Sequence, residues 1–133
     1  MEKQMKINAP VVFSRETNDV TIRLTLQQAG PDLLILLTGG ESPHIGSVIA
    51  ATPRPSLRGT GTSATSCVVN RSGHYDEVPG RRVAERLAAT LNTYVVCVCG
   101  IHVDEATPEV INNILSCCDL LAVQAQNYLL QND

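Results

Sequence analysis

Val20-Thr21-Ile22-Arg23-Leu24-Thr25-Leu26-Gln27 alternates apolar and polar residues without a fault. A period of two is the mark of a strand with one buried face. Ala29-Gly30-Pro31-Asp32 follows, and glycine next to proline is turn chemistry. Residues 33–37 then read Leu-Leu-Ile-Leu-Leu. An unbroken aliphatic run of that length predicts a strand buried on both faces. The short link between the two runs makes them an antiparallel pair, and the rest of the chain is built onto it.

Upstream, residues 11–14 offer a short additional strand, and residues 1–10 are polar and loosely held. Downstream, Gly39-Gly40 supplies a turn and Ser42-Pro43 biases the chain to an extended exit. Residues 45–51 read as the next strand. Gly46 within it removes a side chain where a backbone or ligand can come close. Residues 52–63 hold Pro53, Pro55, Gly59 and Gly61 with Arg54 and Arg58, and predict a mobile connection. Residues 64–70 form a further strand. Val83, Leu87 and Leu91 recur at helical spacing, so a first helix begins at Pro79 or one turn earlier at Asp76. Residues 93–100 give another buried strand. Thr107 as cap, Pro108 at the first position and Glu109 in the first turn then open a second helix that runs to about residue 130. The order β-β-β-β-α-β-α, with the short leading strand beside it, predicts one α+β domain over residues 1–133. Its sheet is mixed and mostly antiparallel, with five to six strands and two helices packed on it.

Composition narrows the function classes. One Phe, three Tyr and no Trp leave an aliphatic core and no aromatic platform for single-stranded nucleic acid. A net charge of −3 also disfavours nonspecific DNA binding. The charge is uneven, however. Residues 42–86 carry six Arg against three carboxylates, a net of +3, while the remainder carries four basic and ten acidic residues, a net of −6. Arginine forks onto phosphate and carboxylate oxygens, although a solvated surface would look the same. Arg81 and Arg82 fall near the start of the first helix, where free N–H groups already favour an anion, so basic residues there point to an anionic partner. The start of the chain shows no basic segment leading into an apolar one, and the apolar runs are of strand length. The reading is a cytoplasmic protein without a membrane segment, its five cysteines reduced and serving as small buried hydrophobes. The last helix is long for so small a sheet, and it offers a contact for a homo-oligomer as well as for its own sheet.

The chemistry-bearing pattern is three histidines at junctions. His44 lies two residues before Gly46, His74 follows Gly73, and His102 lies two residues after Gly100. Imidazole ligates Zn, Mn, Fe or Co and also hydrogen-bonds phosphate. Asp104 stands two residues past His102 and Glu41 three before His44. The separations of 30 and 28 residues match no close metal motif, so convergence is an expectation about the fold. Nucleophilic catalysis has less to build on. No Gly-x-Ser-x-Gly elbow is present, and Gly59-Thr-Gly-Thr-Ser63 lacks the lysine and following helix of a P-loop. Cys99 with His102 is a conceivable thiol–imidazole pair. The absence of a clear acid–base pair shifts weight towards a binding or carrier protein.

Gly39-Gly-Glu-Ser-Pro-His-Ile-Gly-Ser-Val48, then Gly73-His74 leading into a helix, then Val98-Cys-Gly-Ile-His-Val-Asp-Glu-Ala-Thr107, together resemble the LpdD-type family. These are subunit-D proteins encoded with gallate and hydroxybenzoate decarboxylases and described as prenylated-flavin chaperones, with a fold related to proteasome-assembly chaperones. The resemblance covers roughly residues 20–120. It implies a non-catalytic accessory protein that holds or delivers prenylated FMN to a UbiD-like decarboxylase, the flavin phosphate seated on cations or on a divalent metal. His44, His74 and His102 carry over as flavin and metal ligands, and Gly40, Gly46, Gly73 and Gly100 as backbone positions near the ligand. A lysine-bearing segment expected after the second histidine is replaced by Tyr75-Asp-Glu-Val-Pro-Gly80. That departure leaves open which arginine meets a phosphate. Two other readings stand beside this one: a small metal-dependent enzyme using the histidines with Asp104, and a plain assembly module.

Overall fold

The computed structural model of the chain describes residues 6–71 and 77–131. Six strands and two helices follow one another as β1 (Val11–Thr17), β2 (Val20–Ala29), β3 (Asp32–Gly40), β4 (Ser47–Pro55), β5 (Thr62–Asn70), α1 (Glu77–Leu91), β6 (Val95–His102) and α2 (Pro108–Gln131). The strands form one sheet in the order β1-β2-β3-β6-β4-β5. Four of the pairings are antiparallel, and β3 with β6 is parallel. The chain is therefore α+β with a mixed sheet, as its pattern predicts. The β2–β3 pair closes at Ala29 opposite Asp32, as the short turn requires.

Both helices lie on one face. The inward set of β2, Val20, Ile22, Leu24 and Leu26, is continued by Leu33, Ile35 and Leu37 on β3 and by Val95, Cys97 and Cys99 on β6. Against it α1 lays Val83, Ala84, Leu87 and Ala88, and α2 lays Leu121, Ala122, Ala125 and Leu129. That face of α2 packs on its own domain, while Ile111, Leu120 and Leu130 of the same helix remain about half exposed. Its start is capped as expected, the Val110 amide donating to Thr107 Oγ1 at 3.2 Å. Of the five cysteines expected to be buried, Cys67 is exposed on β5, whereas Cys97 and Cys99 lie in the core beside Cys117 and Cys118 of α2. Burial pushes the Cys118 thiol up to about 12. Buried, weakly ionising thiols are inert packing groups.

Three expectations need correction. The 33–37 run is not buried on both faces, because Leu34 and Leu36 each remain 39% exposed. With both helices on one side, no described element covers the other. The 52–63 connection is shorter than expected, since β4 continues to Pro55 and β5 begins at Thr62. The prolines fit because β6 stops pairing with β4 at Ala51. Beyond that point β4 has only β5 as a neighbour, and proline is tolerated where a strand has an unpaired edge. Finally, β1 is seven residues long rather than a short addition. Of the loosely held N-terminus, residues 1–5 lie outside the described residues, while the Ile7 amide donates to Gln28 Oε1 at 2.8 Å.

Candidate functional site

The strand order dictates where the histidines go. β6 comes late in the chain but is inserted between β3 and β4. The link from β3 to β4, residues 41–46, must therefore cross over the end of β6. It is fastened on both sides. The Glu41 amide donates to the His102 carbonyl at 2.7 Å, and the Gly46 amide donates to the Cys99 carbonyl at 2.9 Å. Between these points the His44 carbonyl lies directly on Gly100, where a Cβ would overlap it. Gly40 adopts φ +82°, and a Cβ there would meet the His102 carbonyl. Gly40 and Gly100 are glycines because backbone passes where a side chain would stand.

This crossing brings His44 and His102 together, ring centroids 6.3 Å apart and edge to face. The two rings sit at one corner although 58 residues separate them in sequence. His44 Nδ1 donates to the Ser42 carbonyl at 2.9 Å. A carbonyl only accepts, so the neutral His44 ring carries its lone pair at Nε2. His102 Nε2 donates to Asp104 Oδ1 at 2.7 Å, which puts the lone pair of neutral His102 at Nδ1. The Asp104 amide in turn donates to Glu41 Oε2 at 3.2 Å. The His102 hydrogen bond, with a smaller contribution from Glu41, holds the Asp104 carboxyl below the usual carboxylate range. His102 is half exposed and the corner is open to solvent. Imidazoles oriented by a carbonyl or a carboxylate are set up to receive a ligand.

Gly46 fastens a third element. Its carbonyl accepts from the Arg71 amide at 2.7 Å, and Arg71 NH1 donates to the Ile45 carbonyl at 3.3 Å. Arg71 thus reaches the corner from the end of β5. Sequence reasoning counted it among six arginines and did not single it out. Its register beside Gly46 depends on the β4–β5 pairing, which no local motif encodes. Beneath it, Ser47 Oγ donates to Asn70 Oδ1 at 2.6 Å, and Asn70 Nδ2 donates to Glu77 Oε1 at 3.2 Å. This chain ties the start of α1 to the corner. His74 and Gly73, expected at the same site, lie outside the described residues.

Arg81 and Arg82 are placed elsewhere. The helix starts at Glu77, so both lie past its first N–H groups. Arg81 pairs with Glu77 at 3.7 Å and Glu85 at 3.8 Å, and Arg82 forks onto Asp119 of α2 through Nε at 3.2 Å and NH2. The basic charge near the helix start is met by carboxylates of the chain itself. A cleft of about 590 Å³ lined by Arg54, Arg82, Glu85, Arg86 and Asp119 opens near the other end of β4, away from the histidines. Among the described residues no group of three His, Cys, Asp or Glu side chains has the geometry to hold a metal ion. Nor is any described helix long and apolar enough to cross a membrane.

Residues 16–130 match the family described as the prenylated flavin chaperone LpdD-like domain. The chain belongs to the LpdD-like family. It is also 31% identical over 104 residues to Protein LpdD of Lactiplantibacillus plantarum, an alignment that covers 71% of this chain and 67% of that protein. The matched region takes in β2 through most of α2, and so every element that forms the histidine corner.

Proposed function

We propose that this chain is a carrier for prenylated FMN that delivers its cargo to a UbiD-like aromatic acid decarboxylase. In this reading the corner of His44, His102 and Arg71 seats the flavin phosphate. The observation that carries it is the meeting of two oriented imidazoles over Gly100, with a guanidinium on the same loop. Such a set suits a phosphate dianion, since arginine and imidazolium both donate to it. Gly40, Gly46 and Gly100 hold the backbone close enough to form the seat. His74 and Gly73 join it on the family resemblance alone. Arg81 and Arg82 would have to leave their carboxylates to reach the phosphate, so Arg71 is the better cation.

A divalent metal between imidazoles and phosphate is the second form of this reading. The Ser42 carbonyl favours it, because it directs the neutral His44 lone pair to Nε2. His74 would be the third protein ligand. The two forms have opposite acid signatures. Acidification strengthens a direct imidazolium–phosphate contact and weakens one made through a metal.

The test is anaerobic gel filtration of the protein mixed with prenylated FMN, with and without a divalent metal. The wild-type protein carries flavin absorbance through the column, and His44→Ala, His102→Ala and Arg71→Ala each release it. Transfer from the loaded protein to an apo-decarboxylase restores decarboxylation. A protein that retains no flavin under either condition sinks the carrier reading. Turnover of an aromatic acid by this chain alone would favour the metal-dependent enzyme instead. If all three histidines can be replaced with partner binding intact, the chain is a plain assembly module.

A further inference from the structure

The sheet face turned away from the helices carries a surface that the corner alone does not use. Side chains alternate along each strand, so the residues between the buried ones point to this face. On β3 these are Leu34 and Leu36, on β6 Val96 and Val98, on β4 Val48 and Ala50, and on β5 Cys67 and Val69. The register sets them in two straight rows. Leu36, Val98, Val48 and Val69 are successive cross-strand partners, as are Leu34, Val96, Ala50 and Cys67. Leu34 and Leu36 are 39% exposed, Val48 37% and Val69 70%. The rows end at β2, where Thr25 faces Leu36 and Gln27 faces Leu34. The outward positions of an antiparallel sheet that faces water are ordinarily polar, so aliphatic rows across four strands call for an occupant.

The rows run straight into the corner. By the same alternation Val96, Val98, Gly100 and His102 share one face of β6, and Gly100 is the residue that His44 crosses. We propose that the aliphatic rows are the platform for the tricyclic ring system of the flavin, whose phosphate sits at the corner. This rests on the carrier reading above. Four residues of strand separate His102 from Val98, about 13 Å. A phosphorylated five-carbon tail spans that order of distance. The outermost of the four strands are about 14 Å apart between their axes and the two rows about 7 Å apart, an apolar footprint on the order of 100 Å² between those axes. That matches a flat tricyclic ring. A second copy of the chain would have to bury a much wider surface, roughly 800 Å² of accessible area per partner, so two rows of this extent favour a small flat ligand. The platform also suits the prenylated form over FMN, because the added ring is hydrocarbon.

The first test needs no variant. Methyl NMR of the wild-type protein titrated with FMN, then anaerobically with prenylated FMN, reports ring-current shifts. Leu36, Val48 and Val98 methyls shift, and those of buried Leu33 and Ile35 do not. The second test is the double variant Leu36→Thr/Val98→Thr, which places a β-branched residue of good strand propensity at both outward-facing positions. Prenylated FMN and riboflavin each bind roughly tenfold more weakly, the loss expected when about two buried methylenes are removed from a contact. The preference for prenylated FMN over FMN shrinks with it, while inorganic phosphate still competes at the corner. His44→Ala has the complementary effect, since it abolishes the advantage of FMN over riboflavin. Unchanged methyls and unchanged affinity in the double variant overturn the platform and leave the carrier reading standing. A wild-type protein that binds neither flavin overturns both. A dimer that dissociates in the double variant while flavin affinity holds assigns the face to a second copy and overturns the proposal.

Discussion

On β3 and β6 the two faces of the sheet carry nearly the same residue types and have opposite fates. Ile35 and Leu36 are neighbours on β3. Ile35 is fully buried beneath the helices, and Leu36 stands 39% exposed on the open side. On β6 the contrast is milder, with Cys97 buried and Val98 half-buried. What separates them is that both helices pack on one side. An aliphatic residue is core on the covered face and available to a ligand on the other. The comparison teaches that composition along a strand does not reveal how many faces are sealed. The placement of later elements decides that.

The comparison can be broken most directly by truncation. Ile35→Ala on the sealed face removes packed volume and destabilises the protein by about 2–5 kcal/mol in urea unfolding. Leu36→Ala on the open face costs less, about 1 kcal/mol, because part of the side chain already meets solvent and no helix packs over it. Equal losses would mean that the open face is covered in solution. The next largest effect falls at the crossing. Gly100→Ala forces a Cβ into the His44 carbonyl and costs about 1–3 kcal/mol as the loop 41–46 is pushed off β6. The same change should abolish the nuclear Overhauser contact between the His44 and His102 rings. If both stability and ring contact survive, the loop does not cross β6 as described.

Smaller effects sharpen the picture. Arg82→Ala breaks the exposed fork to Asp119 between α1 and α2, and the loss stays within about 1 kcal/mol. Its flavin affinity should stay at the wild-type value, unlike that of Arg71→Ala, and a parallel loss would return Arg82 to the phosphate seat. The smallest effect is in acid. A carboxyl held below its ordinary value in the folded state contributes stability above its unfolded pKa, near 3.9, and loses it only as pH falls through the lower folded value. The Asp104 carboxyl should therefore titrate below the usual range by carbon NMR, and His102→Ala should return it upward.

Much of the fold was legible because it is local. The faultless alternation of residues 20–27, the turn at Gly30-Pro31, and the Thr107-Pro108 cap each fix an element from a few neighbouring residues. The site was legible only in part. His44 and His102 stand out as histidines beside glycines, but their meeting depends on β6 entering between β3 and β4, a long-range pairing that no spacing encodes. Arg71 was missed for the same reason. Arg81 and Arg82 misled because a charge near a helix start looks unmet until Asp119, 37 residues further along, is seen to answer Arg82. Pro53 and Pro55 read as loop because the stretch of β4 without β6 beside it cannot be known from sequence. The bare aliphatic face was hidden within runs that read as doubly buried.

The central claim is that the corner over Gly100 holds the phosphate end of a prenylated flavin. Native mass spectrometry of the protein co-produced with a prenylated-flavin synthase tests it in one measurement. The account predicts a bound mass equal to prenylated FMN, with or without one metal ion, on the wild-type chain and its loss from His44→Ala/His102→Ala. A wild-type chain that emerges bare, or a double variant that keeps the flavin, would contradict it.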